Sequence, residues 1–173
     1  STLFPAEDQI SIVSCVGSDA GAKLVRDGLR PYDIRTCLQS LPGETPVQYI
    51  EVQPTGEKNF VRYDEGVLRN FTIDSAARDL VRSADLLVAP VYLQIVELFD
   101  TLLSIDCRAA TCIDFADFLQ HPDFALLDRH IDRIDIGFFG LTAGDRATIN
   151  EIARRAKLHD KLFVVTLGPD GSV

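Results

Sequence analysis

The chain has 173 residues, a length suited to one ordinary domain. Apolar residues make up 46% and charged residues 25%, as in water-soluble globular proteins, and the formal charge of −9 is spread along the chain without an acidic tail. There is no Lys/Arg cluster and no apolar run near 18 residues, which argues against nucleic acid, anionic membranes and a membrane span.

Taken in order, Ile10 to Val16 (ISIVSCV) predicts a strand. Asp19 to Leu29 predicts a helix with Leu24, Val25 and Leu29 on one face. RPYDIRTCLQS predicts a further extended segment. Val47–Val52 and Phe60–Tyr63 show strand patterning around QPTGEKN, where Pro54 and Gly56 supply a bend. This is a hairpin with no helix beside it, which suits a lid, an oligomer contact or a plain edge hairpin.

From residue 72 strands and helices alternate. Asp74 is placed to cap a helix carrying Ala77, Leu80, Val81 and Ala84. DLLVAPV, AATCIDF, IDIGFFG and KLFVVTLG read as buried strands. LQIVELFDTLLS reads as a helix, DFALLDRHI as another with Pro122 near its start. Asp145 is placed to cap a third, bearing Ile149, Ile152, Ala153 and Ala156. Apolar strands joined by helices imply a parallel sheet covered on both faces. The expected class is α/β, doubly wound and mostly parallel, with a small β lid hairpin.

Cys15, Cys37, Cys107 and Cys112 lack metal or redox spacing and are expected as reduced, partly buried thiols of a cytosolic protein. His121, His130 and His159 are scattered and expected at the surface. No methionine occurs, which suggests an internal piece of a longer protein.

In parallel sheets ligands bind beyond the carboxyl ends of the strands. The positions of interest are therefore 17–19, 89–92, 114–117, 140–145 and 166–171. Gly168 and Gly171 suit backbone N–H groups turned toward an anion, and equally a simple turn. Asp114 and Asp117 suit sugar hydroxyls or a magnesium-bound water, and equally capping of the next helix. No Walker A or GxGxxG motif occurs, and no nucleophile–base pair follows from spacing.

The order of segments resembles the ribokinase (PfkB) family of carbohydrate kinases. VSCVGSDAGAKLVRDGL is similar to that family's VGxDxxGxxLxxxL segment. TPVQYIEVQPTGEKNFVRY sits where the family has its β lid, and FVVTLGPDGSV resembles its VTLGxxG turn beside the nucleotide. VRYDEGVLRNF, ADLLVAP and CIDFAD are most similar to the fructoselysine 6-kinase branch. The resemblance implies an α/β core over 1–44 and 66–173 with a lid over 45–65. It implies a kinase using ATP and Mg²⁺ to phosphorylate a sugar or sugar–amine, cytoplasmic, with a homodimer formed through the lid.

By the same resemblance Thr166, Gly168 and Gly171 lie near the nucleotide, and Asp19, Tyr63 and Asp114 near lid or sugar. Two departures stand out. The family's Asn-x-x-Glu positions carry Ala143 and Arg146, with Asp145 as a substitute, and Pro90–Val91 replace a glutamate usual in ribokinases proper. The family's catalytic aspartate, in a G-A-G-D motif, is expected beyond Val173, so the chain alone is expected to be inactive. The competing readings are a non-catalytic sugar- or nucleotide-binding regulator on this fold, and an unrelated doubly wound transferase.

Overall fold

The computed structural model describes residues 9–56, 58–116, 118 and 124–173. Asp117, His121 and Pro122 lie outside the described residues. The chain divides into two compact units, Ser1–Ala77 and Arg78–Val173.

In the first unit β1 (Ile10–Val16) and β2 (Ile34–Ser40) run parallel, Ile10 opposite Ile34 through Val16 opposite Ser40. A parallel pair needs a crossover, supplied by α1 (Ala20–Leu29). β3 (Val47–Val52) and β4 (Lys58–Asp64) form an antiparallel sheet of their own. Tyr49 faces Arg62 and Ile50 faces Phe60, so Val61 is an extra residue, a β-bulge. Because paired residues share a face, Ile50, Val52, Phe60 and Tyr63 lie on one side with Gln48 and Lys58. Arg62 lies on the other side, 4.2 Å above the Tyr49 ring and 2.8 Å from Asp64.

α2 (Ser75–Ser83) leads into the second unit. Asp74 caps it as expected: Oδ1 accepts the Ala77 N–H at 2.9 Å, and Oδ2 accepts from Gln39 Nε2 at 3.0 Å. β5 (Leu86–Pro90), β6 (Ala110–Asp114), β7 (Ile136–Gly140) and β8 (Leu162–Thr166) then form one parallel sheet in the order β5-β6-β7-β8. Their connections contain α3 (Val96–Leu103), α4 (Phe124–His130) and α5 (Arg146–His159). The α/β class, with parallel strands, flanking helices and a separate hairpin, is as expected, although α3, α4 and α5 pack on one face of the second unit's sheet rather than both.

Strands laid down in simple succession by right-handed crossovers place their helices on one face. Accordingly Phe99 and Leu103 of α3, Leu126 and Leu127 of α4 and Ile152 of α5 cluster with Ala89, Ile113, Phe139 and Val165. The rings of Phe115 and Phe139 stack at 4.7 Å, and Phe118 meets both edge-on. Gly137 leaves room for Phe163, since a Cβ there would lie 2.9 Å from that ring. The opposite face carries Leu86, Val88, Phe138 and Leu162, all exposed.

Two local expectations are corrected. Asp145 occupies the N-cap position of α5 but makes no side-chain cap bond. Its carboxylate turns back to accept the Thr142 N–H at 2.9 Å and hydroxyl at 2.5 Å, because the tight Thr142–Asp145 turn puts those donors nearer. His130 is not a surface residue: its side chain is 12% exposed, bonded to Asp100 and edge-on to Phe99 at 5.5 Å. The four cysteines are free, Cys15 buried and the others half-buried.

Candidate functional site

The second unit gathers four predicted strand ends at one edge. Pro90 stands opposite Asp114, Asp114 opposite Phe138, and Gly140 opposite Thr166. Asp114 and Thr166 are therefore two strand spacings across and two residues along from each other, about 12 Å. Asp114 Oδ1 accepts the Ala116 N–H at 2.8 Å, holding Ala116 in the left-handed region at φ 46°. The Ala116 carbonyl accepts from the Gly140 N–H at 2.9 Å, tying the β6 turn to β7. Burial, and then the Asp114 charge, push the neighbouring Cys112 thiol up.

Beyond β8 the turn folds back on the strand. Leu167 N–H donates to Gly171 O at 2.8 Å, and Val165 and Val173 exchange bonds at 2.7 and 3.0 Å. Gly168 and Gly171 have φ of +59° and +88°, left-handed values that other residues adopt at a cost. A Cβ at either would meet nothing within 4 Å. These glycines are thus needed for the shape of the turn and leave its outer side open. Thr166 Oγ1 donates to Phe139 O at 3.3 Å.

The other two predicted residues belong to the first unit. Tyr63 lies in β4 on the apolar side of the hairpin. Asp19 follows β1 and caps α1, its Oδ1 accepting the Ala22 N–H at 3.2 Å. It also accepts from the Thr45 hydroxyl at 2.5 Å and the Thr45 N–H at 3.1 Å. The Thr45 hydroxyl bond, foremost, holds the Asp19 carboxyl below its ordinary range. Sequence reasoning overlooked Thr45, which is buried and carries this network; a threonine beside Pro46 at a hairpin's start offered no distinguishing signal.

Among the described residues no group of three His, Cys, Asp or Glu side chains is assembled to hold a metal ion. Nor is any described helix long and apolar enough to cross a membrane.

No family model matches the chain. No curated protein matches it either. Solved structures do. Ribokinase from Giardia lamblia superposes with a TM-score of 0.72 at 19% identity, covering 96% of this chain and 56% of that one. Ribokinase from Thermotoga maritima gives 0.71 at 16%, covering 94% and 55%. Adenosine kinase from Schistosoma mansoni, in complex with 2-fluoroadenosine, gives 0.63 at 16%, covering 91% and 53%. At these identities the likeness establishes the fold, that of ribokinase-type kinases. The chain spans a little over half the length of the structures it matches.

Proposed function

We propose that this chain is part of an ATP-dependent carbohydrate kinase that transfers the γ-phosphoryl group to a hydroxyl of a sugar or sugar–amine, as in the fructoselysine 6-kinase branch. The observation that carries the reading is a ribokinase-type fold whose strand-end turns coincide with the segments VGSDAG, CIDFA and VTLGPDG. In this reading the open turn of Thr166, Gly168 and Gly171 faces the nucleotide phosphates. Asp114, with a carboxylate oxygen at the same sheet edge, accepts from a sugar hydroxyl. Tyr63 presents its ring to the substrate from the lid, and Asp19 stands at the lid's base.

Positioning and charge stabilisation supply most of the catalysis in phosphoryl transfer. In this reading the general base and the anion hole are the aspartate and glycines of the family's G-A-G-D motif. Among the described residues no three His, Cys, Asp or Glu side chains are grouped, and no step is assigned through Mg²⁺. The apolar side of the hairpin, with Ile50, Val52 and Phe60 exposed, suits a second copy's hairpin. A homodimer that Phe60→Lys dissociates, followed by light scattering, is expected. Free thiols accord with a reducing, cytoplasmic setting.

The test is ADP release by the full-length protein with magnesium, across fructoselysine, fructose, ribose and 2-keto-3-deoxygluconate. Turnover of one of these is expected. No turnover on any, with the fold intact, favours a non-catalytic regulator. One feature inclines that way: Ala143 lacks a polar side chain, and the Asp145 carboxylate is engaged with Thr142.

A further inference from the structure

We propose that Asp19 is a positioning residue: acting through Thr45, it clamps the root of the hairpin to the β1–α1 turn. The proposal rests on reading β3–β4 as a lid. Both oxygens of Asp19 are committed within the protein. Oδ1 serves Ala22 N–H and the Thr45 hydroxyl, and Oδ2 serves Thr45 N–H. The Thr45 oxygen in turn accepts the Gly17 N–H at 3.0 Å.

The clamp extends along three consecutive residues. Ser18 N–H donates to Gly43 O at 2.9 Å, Val67 N–H donates to Glu44 O at 2.9 Å, and Thr45 is bonded as above. The β1–α1 turn and the chain leaving the hairpin are therefore both fastened to the short segment 43–45 that enters it. The backbones approach too closely for side chains. A Cβ on Gly17 would lie 2.3 Å from Gly43 O, and one on Gly66 would lie 2.3 Å from Glu44 O.

Outside this root the ladder is first interrupted at the Val61 bulge, opposite the Tyr49–Ile50 step. The hairpin thus bends at the bulge while its root stays fixed. Asp19 sets where the lid stands without touching what the lid covers.

The test uses the full-length protein and hydrogen exchange of the hairpin amides, which needs no sugar turnover. Thr45→Val keeps volume and the Asp19 cap on Ala22 while removing the hydroxyl. Exchange over 47–64 is expected to rise about tenfold with α1 amides unchanged. Thr45→Ser restores it. If Thr45→Val fails to fold, Asp19→Asn carries the same test: its amide N–H₂ group meets the Thr45 N–H, donor against donor. Where a sugar is turned over, KM rises in these variants more than kcat falls. Unchanged hairpin exchange overturns the clamp, as does equal loosening of α1 and hairpin. Loosening of the hairpin alone in a protein that turns over no sugar upholds the clamp and removes only the kinase reading.

Discussion

Among the described residues of the second unit, Arg155 is the charged residue most deeply placed, 9% exposed. Its guanidinium forks onto Asp128 at 2.6 and 2.9 Å, reaches Glu151, and lies 4.3 Å above the Phe124 ring. Planar, bidentate pairing is what arginine supplies and lysine does not. Arg155→Met keeps the stem and removes the fork, leaving Asp128 without its guanidinium partner and Glu151 with Arg154 alone. A loss of about 1–3 kcal/mol in denaturant unfolding is expected; an unchanged midpoint would show the network to be idle. Arg154 first, then Arg155, lowers the Glu151 carboxyl to about 2 from an ordinary 4.5. A depressed carboxyl favours the fold above its unfolded value. This contribution is therefore complete above about pH 4.5 and lost as pH falls through about 2. Thermal melts between pH 6 and 2 should show the acid loss diminished in Glu151→Gln.

At the scale of elements, glycines in similar sequence settings have opposite roles. Gly28 lies inside α1, exposed, and a Cβ there would meet nothing within 4 Å. Gly28→Ala should stabilise by about 0.5–1 kcal/mol, because alanine loses less backbone entropy in a helix. Gly17, one turn before the same helix, packs against the backbone of 43–45. Gly17→Ala should cost about 1–3 kcal/mol, as overpacking does, and should loosen the hairpin root. Equal melting temperatures for the two variants would contradict this contrast.

At the scale of the whole molecule, the four-stranded sheet has helices over one face and exposed Leu86, Val88, Phe138 and Leu162 on the other. Parallel strands are ordinarily covered on both faces, and apolar patches of this kind drive association. The chain by itself should bind a hydrophobic dye and self-associate. Val88→Thr with Leu162→Thr keeps β-branched or strand-compatible side chains and should reduce both signals at constant helicity. A monodisperse, dye-silent parent chain would refute the expectation.

The alternating elements, the hairpin and the Asp74 cap could be read from the sequence, because periodicity and caps depend on residues within a few positions of each other. The edge shared by Asp114 and Thr166 also followed, since parallel strands put their carboxyl ends together. What only the tertiary structure decided involves partners far apart in sequence. Asp145 was placed as a cap but prefers the donors of Thr142, a matter of how one turn closes. His130 is half-buried because Asp100 and Phe99, about thirty residues earlier, come to meet it. Asp19 shows both kinds of determination: its capping of α1 was local, whereas its hold on Thr45 spans 26 residues. No pattern in the sequence encodes that second bond, because it exists only once β1 and β2 have paired and brought residues 43–45 against Gly17.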